Sequence, residues 1–155
     1  MNQQIKILNS KEKEAIQKKL KEGFGIKKIP GELVKKGEEK IFLFQGNLNE
    51  KQLRKVEKVA FIERMGVYFA KEEREEIRLS IEGTHLLKNQ IDKNIFEMNE
   101  EQKSDWMKGR ELNISTGKHQ FLVMKYKEDF LGCGKASAEK ITNFIPKTRR
   151  LKSRE

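Results

Sequence analysis

The feature that most constrains the fold is a pair of short apolar segments near the end of the chain. Residues 129–135 read DFLGCGK, and residues 141–150 read ITNFIPKTRR. Segments this close together predict two adjacent strands, and a glycine inside a strand marks a kink where another backbone can approach closely. Lys147, Arg149 and Arg150 follow Pro146, and we expect them to form a fixed cationic strand edge. Such an edge suits a chain of phosphates, and a disordered basic tail is the alternative.

The whole chain is basic, and the excess charge is concentrated at this end. Its 155 residues include 34 Lys and Arg against 24 Asp and Glu, which gives a formal charge of +10. Residues 118–155 alone hold seven Lys and three Arg against three Glu and one Asp. Such an excess favours polyanionic partners, because binding releases the counterions of a nucleic acid. Nucleic acid is therefore the first class of partner that the composition indicates.

The sequence argues against a membrane or secreted protein. No apolar run approaches the roughly 18 residues that a spanning helix needs, and the first ten residues lack the apolar core of a secretory signal. The single Cys133 excludes an intramolecular disulfide and a multi-cysteine metal site. We therefore expect a cytoplasmic protein without a membrane partner.

Helices and strands alternate along the chain. In three places an Asn is followed three positions later by Glu or Gln, a pattern that caps helices. The pairs are Asn9 with Glu12, Asn49 with Gln52, and Asn99 with Gln102. Short apolar runs predict strands at residues 40–44, within 59–70, and at 94–98, 120–126, 130–135 and 140–145. The acidic cluster at residues 72–76 predicts a turn between two strands.

These elements predict an α+β fold in two parts. We place a small N-terminal α/β unit at residues 1–73 and a C-terminal domain at residues 74–155. Gly83 interrupts a short predicted helix that is capped by Ser80, and since glycine destabilises a helix, its presence indicates close packing or close ligand approach. Three closely spaced strands after a helix indicate a small closed or half-closed β-barrel in the C-terminal domain.

Residues 77–150 resemble a PUA domain, the small pseudobarrel of RNA-modifying enzymes and ribosome-assembly factors. The sequence RLSIEG at residues 78–83 is similar to the strand, helix and glycine that begin such domains. The sequences LGCGK at 131–135 and NFIPKTRR at 143–150 resemble more closely the C-terminal PUA-like tails of certain ribosomal RNA cytosine-5 methyltransferases. The N-terminal portion, with GFGI at 23–26, is similar to the pre-PUA unit of such tails and of stand-alone ribosome-assembly proteins. The resemblance implies a pre-PUA unit followed by a PUA pseudobarrel that binds RNA.

The candidate RNA-binding residues come from two sources. The residues themselves indicate the cations of the C-terminal block, and Lys135 and Lys140 border the same surface if the two strands pair. The resemblance implies that the opening helix and the neighbouring strand line the RNA groove, where a histidine is suited to bond a phosphate or stack on a base. The full set of candidates is Arg78, His85, Lys88, Lys93, Lys135, Lys140, Lys147, Arg149 and Arg150. The lysines of the first helix alternate with Glu, so we interpret them as a solvated face instead.

Nothing in the sequence indicates catalysis. Cys133 lies between two glycines and lacks the preceding Pro of the methyltransferase nucleophile, so we interpret it as a buried strand residue. His85 and His119 are the only histidines, and neither has the spacing of a metal site. We interpret Trp106 and Phe130 as core residues rather than stacking platforms, and we expect no cofactor.

The expected function is non-catalytic binding of structured RNA, ribosomal or transfer RNA, in rRNA modification or ribosome assembly. Recognition of phosphates and shape is expected to dominate over contacts to base edges. A ribosomal subunit or an RNA-modifying enzyme would be a further partner. Two alternatives stay open. The chain could be a permanent structural protein of the ribosome, or it could be an adaptor that binds an RNA methyltransferase, in which case its own cations serve only solubility.

Overall fold

The computed structural model describes residues 5–45 and 66–152, which contain nine strands, three α-helices and one short 3-10 helix. In chain order these elements are β1 (Ile5–Ile7), α1 (Ser10–Phe24), β2 (Glu32–Lys36), β3 (Lys40–Phe44), β4 (Val67–Glu73), β5 (Glu76–Leu79), α2 (Ile81–Leu86), β6 (Ile95–Glu97), α3 (Glu100–Met107), β7 (Phe121–Tyr126), β8 (Asp129–Ala136), β9 (Ile141–Thr142) and the 3-10 helix (Lys147–Arg149). The predicted helix after Asn49 lies outside the described residues, as does the first part of the predicted strand segment 59–70.

The N-terminal unit is a five-stranded antiparallel sheet with one helix packed on it. Its strands lie in chain order from β1 to β5. The predicted capping box starts α1, and Gly25 ends it in the left-handed conformation at φ +80°. Ile16, Leu20 and Phe24 follow each other at four-residue spacing, so they share the face of α1 that is buried. The sequence reasoning predicted α1 and β3 but missed the short strands β1 and β2.

The acidic cluster at residues 72–76 forms the predicted turn between β4 and β5. Arg74 and Glu75 adopt positive φ angles of +47° and +70°, the backbone of a two-residue hairpin turn. The predicted division between residues 73 and 74 falls inside this turn. Because β5 pairs with β4, the strand just after that division completes the N-terminal sheet. The domain boundary itself stays a prediction.

The C-terminal part is a second, four-stranded sheet with the order β6-β7-β8-β9. The first pair is parallel and the other two are antiparallel. Helix α3 begins at the predicted capping box of Asn99 and Gln102. Together, the N-terminal α/β unit and this curled half-barrel confirm the predicted α+β fold.

The predicted kink in β8 lies at Gly132. Its φ of +83° is a conformation that side chains disfavour, and the register between β7 and β8 shifts at this point. The N–H of Gly132 leaves the ladder and donates to the hydroxyl of Thr84 in α2, at 3.2 Å. The bulge therefore joins the second sheet to α2.

One large core is shared by the two sheets. It combines α1 and the first sheet with residues of β7 and β8, including Phe121, Val123 and Phe130. A smaller core lies around Trp106 of α3, whose indole N–H donates to the carbonyl of Leu131 at 2.9 Å. Trp106 and Phe130 are thus core residues, as predicted. Within residues 5–45 and 66–152, no helix is long and apolar enough to cross a bilayer.

The end of the chain departs from the prediction. We expected a strand over residues 140–145 that ends in a cationic edge, but β9 covers only Ile141–Thr142 and residues 147–149 form a 3-10 helix. The physical reason is Asn143, whose amide donates to the carbonyls of Trp106 and Arg110 while its oxygen accepts from the N–H of Ile145. These bonds turn the chain away from the sheet and toward α3.

Candidate nucleic-acid interface

Helix α2 is fixed between the two sheets by its small residues. The Ser80 hydroxyl caps the helix by accepting from the N–H of Gly83 at 2.9 Å, and it donates to the carbonyl of Tyr68 at 2.7 Å. Gly83 faces β4, and a Cβ there would overlap the carbonyl oxygen of Phe69, which confirms the predicted close packing. The opposite side of the helix is free, since His85 and Leu86 are exposed.

Exposed lysines follow α2 along the chain. Lys88 and Lys93 are exposed in the segment that leads to β6. Between them, the Gln90 side chain accepts from the N–H groups of Lys27 and Lys28 and donates to the carbonyl of Lys28, each at 2.9 Å. Gln90 therefore holds the exposed Lys27 and Lys28 beside the α2 segment. Sequence reasoning missed these two lysines, although their lack of acidic neighbours is a signal that is visible in the sequence.

The C-terminal 3-10 helix lies against the other side of α2. Arg149 forms an ion pair with Glu82 of α2, and both side chains stay partly exposed. Lys147 is exposed and has no ion pair among the described residues. The Nε of Arg150 donates to the carbonyl of Ile145 at 2.9 Å, and the N–H of Leu151 donates to the carbonyl of Met107 at 2.7 Å. Each of the two guanidinium groups thus has a partner within the chain, although the Arg149 side chain stays 48% exposed. Their role in RNA binding stays a prediction.

A cleft of about 190 Å³ opens where β5, the β8 bulge and the C-terminal segment meet. Among the predicted residues, Arg78 and Arg149 line it. The Arg78 guanidinium carbon lies 4.1 Å from the centre of the Phe144 ring, and its Nη2 lies 3.2 Å from a carboxylate oxygen of Glu73. Its side chain is only 13% exposed, and its buried Nε has no hydrogen-bond partner among the described residues. The cleft is therefore lined by a fixed cation.

Lys135 and Lys140 lie elsewhere. Lys135 forms an ion pair with Glu76, and its ammonium lies 4.7 Å from the centre of the Phe121 ring. Lys140 pairs with Glu111 at 3.1 Å. Strands β8 and β9 do pair, but neither lysine lines the cleft. The structure thus brings together two groups of predicted residues, around α2 and in the cleft, and places this pair apart from both.

The single cysteine of the chain lies inside the protein. Cys133 is buried on β8, and burial raises the pKa of its thiol to about 12 against a smaller opposing effect of a backbone hydrogen bond. A thiolate at neutral pH is thereby disfavoured. The described residues contain no group of three or more His, Cys, Asp or Glu that is placed to hold a metal ion.

This geometry is accompanied by a match to a known family. Residues 93–151 match the family model described as the methyltransferase RsmF PUA domain. Over these residues the chain is similar to a PUA domain. Its matched range contains α3, the whole second sheet and the C-terminal 3-10 helix, but it begins after β5 and α2. A search of the curated proteins found no match.

The PUA match agrees with the resemblance read from the residues, including its likeness to the tails of rRNA methyltransferases. A PUA domain suggests RNA binding. Of the predicted site residues, Arg78, His85 and Lys88 precede the matched range. The remaining six lie within it: Lys93, Lys135, Lys140, Lys147, Arg149 and Arg150.

Proposed function

We propose that this protein binds structured RNA without catalysing a reaction on it, and that it serves in the modification of ribosomal RNA or in ribosome assembly. The observation that carries the proposal is the PUA match over residues 93–151. The formal charge of +10 supports it, because each phosphate that the protein neutralises releases counterions.

The proposed contact surface is the exposed side of α2 with the segments on its two flanks. His85 and Lys88 lie on one side, next to the lysines that Gln90 holds, and Lys147 lies on the other. A surface built from a helix and fixed loops presents its cations at set distances, which suits a folded phosphate backbone better than a flexible strand.

A non-catalytic role is supported by the state of the single cysteine. Attack on a base by a cysteine requires a thiolate, and burial of Cys133 opposes its formation. We therefore propose that any modification of the bound RNA is carried out by a partner enzyme.

The test is RNA binding at several salt concentrations with two matched double variants. Lys88→Glu with Lys147→Glu reverses two exposed charges on the proposed surface, and Lys11→Glu with Lys18→Glu reverses two exposed charges on α1. Fluorescence anisotropy with a blunt ribosomal RNA hairpin should show weaker binding for the first pair only. Its slope of log affinity against log salt should fall by about 0.9 for each phosphate that the variant no longer neutralises.

Arg149 and Arg150 are poor positions for this test, because reversing them also breaks contacts within the chain. Equally weakened binding in the two double variants would reject the surface and leave only a general charge effect. Failure of the unmodified protein to bind any structured RNA at low salt would reject the function.

A further inference from the structure

A row of cations crosses the outer face of the N-terminal sheet, and it includes Lys40, Lys71 and Arg78. In the strand registers, Lys40 of β3 lies directly opposite Lys71 of β4, and Lys71 lies directly opposite Arg78 of β5. Neighbouring strands are about 4.8 Å apart, so the three side chains start at that spacing. Like charges directly opposite each other repel, so the row favours negative charge beside it.

A bulge in β4 adds an aromatic pair to the same face. Ile41 pairs with Ala70 and Phe42 pairs with Tyr68, so Phe69 has no partner and the alternation of sides is shifted. As a result, Tyr68 and Lys71 lie on the same face as Phe42 and Lys40. The rings of Phe42 and Tyr68 are 5.7 Å apart. Proteins that bind single-stranded nucleic acid combine aromatic rings, on which bases stack, with a row of cations that contacts the phosphates.

Nearby carboxylates neutralise this row only in part. Glu73 lies 3.3 Å from Lys71 and 3.2 Å from Arg78, and Glu39 lies 3.2 Å from Lys71. Glu39 is 53% exposed, so a phosphate can displace it from Lys71 at small cost. Lys40 is exposed and has no ion pair among the described residues.

The row ends in the cleft at Arg78. Lys40, Tyr68 and Lys71 line the cleft together with Phe144 and Pro146. Its volume of about 190 Å³ is below the roughly 300–1,000 Å³ of ordinary ligand pockets, so it has room for one planar group rather than a whole ligand. The Arg78 guanidinium, whose side chain is 13% exposed, supplies a fixed cation at this end of the row.

We propose that the row and the cleft bind a single-stranded segment of RNA, with phosphates at Lys40 and Lys71 and one base in the cleft against Arg78 and Phe144. This inference rests on the proposed function and extends the RNA contact beyond the PUA domain to the N-terminal sheet. In this arrangement one RNA molecule has a structured region bound at the α2 surface, and its single-stranded segment continues from there to the cleft and the row.

The experiment compares a short single-stranded RNA oligonucleotide with a blunt hairpin, each labelled and titrated with the full chain. Lys40→Glu should weaken binding of the oligonucleotide and lower its salt slope by about 0.7, because one phosphate is no longer neutralised. Phe144→Leu should weaken it roughly tenfold, since aromatic side chains supply much of the affinity for unstacked bases. Neither change should alter affinity for the blunt hairpin by more than about twofold.

The matched controls are Lys18→Glu, an exposed charge on α1, and Phe96→Leu, a ring on β6 in the smaller core. Equal effects of test and control variants on the oligonucleotide would overturn the inference. Binding of the hairpin without binding of the oligonucleotide would overturn it and leave the proposed function in place. If the unmodified protein binds neither RNA, both proposals are overturned. If Phe144→Leu lowers the melting temperature, its effect on binding is set aside. The inference is then decided by the oligonucleotide affinity of Lys40→Glu, which changes an exposed residue.

Discussion

Single residues fix the position of α2, and Gly83 is the clearest of them. The sequence showed a glycine inside a short helix, which indicates close packing without saying against what. The structure identifies the neighbour as the carbonyl of Phe69 in β4. In the same strand, the carbonyl of Tyr68 accepts a hydrogen bond from the Ser80 hydroxyl. A carbonyl in a paired strand moves less easily than the end of a side chain, so this site tolerates no added Cβ.

We expect Gly83→Ala to destabilise the protein by about 1–3 kcal/mol, because overpacking against backbone outweighs the better helix propensity of Ala. The control is Gly23→Ala in α1, where an added Cβ meets nothing within 4 Å. That change should leave stability unchanged or raise it by up to about 1 kcal/mol. Denaturant unfolding of both variants measures the difference, and equal stabilities would contradict the packing argument.

Elements near the chain end show how a local interaction overrides a strand pattern. Residues 140–145 are apolar enough to predict a strand, yet β9 stops at Thr142. Asn143 supplies three hydrogen bonds that hold the chain against the end of α3, and Pro146 then has no N–H to continue a ladder. The basic 3-10 helix is therefore positioned by a side chain and not by a sheet edge.

We expect Asn143→Ala to release this segment at a cost of about 1–3 kcal/mol, since it removes the three hydrogen bonds that hold the segment against the end of α3. The amide of Leu151, which donates to Met107, should then exchange its hydrogen faster. Asn89→Ala, at an exposed position, is the matched control. Unchanged exchange at Leu151 in the Asn143 variant would show that other contacts hold the segment.

Across the whole molecule, a half-buried carboxylate ties the helix of the N-terminal unit to its sheet. Glu72 of β4 accepts from Lys19 of α1 at 2.7 Å and from Lys35 of β2 at 2.9 Å. Burial by itself raises the pKa of this carboxyl, but the two lysine hydrogen bonds outweigh burial and lower the pKa below 4.5. The large core shared by both sheets makes this helix important for the second sheet as well.

The lowered pKa of Glu72 sets the direction of an acid effect on stability. A carboxyl with a lowered folded pKa stabilises fully above its unfolded value of 4.5, and the stabilisation is lost as pH falls through the folded pKa. Glu72→Gln should therefore lower the melting temperature at neutral pH and reduce its decline below pH 4.5. Glu75→Gln, at an exposed turn residue, should leave the profile unchanged. Parallel melting curves for Glu72→Gln and the unmodified protein across this range would contradict the argument.

The sequence by itself determined several local features and a likeness to a known family. The capping boxes at Asn9 and Asn99, the turn at residues 72–76 and the kink at Gly132 follow from interactions within a few residues, so local chemistry sufficed to predict them. The likeness to the tails of rRNA methyltransferases was likewise carried by short sequences in the C-terminal block.

Only the tertiary structure decided which cations are available to a ligand. Arg149 meets Glu82 and Lys135 meets Glu76 across 67 and 59 residues of chain, and no local pattern predicts such pairs. The row of Lys40, Lys71 and Arg78 exists because three strands adopt one register, with a bulge that turns Tyr68 to the same face. Charge composition fixes how many cations there are, whereas strand register and distant carboxylates fix which of them a polyanion can reach.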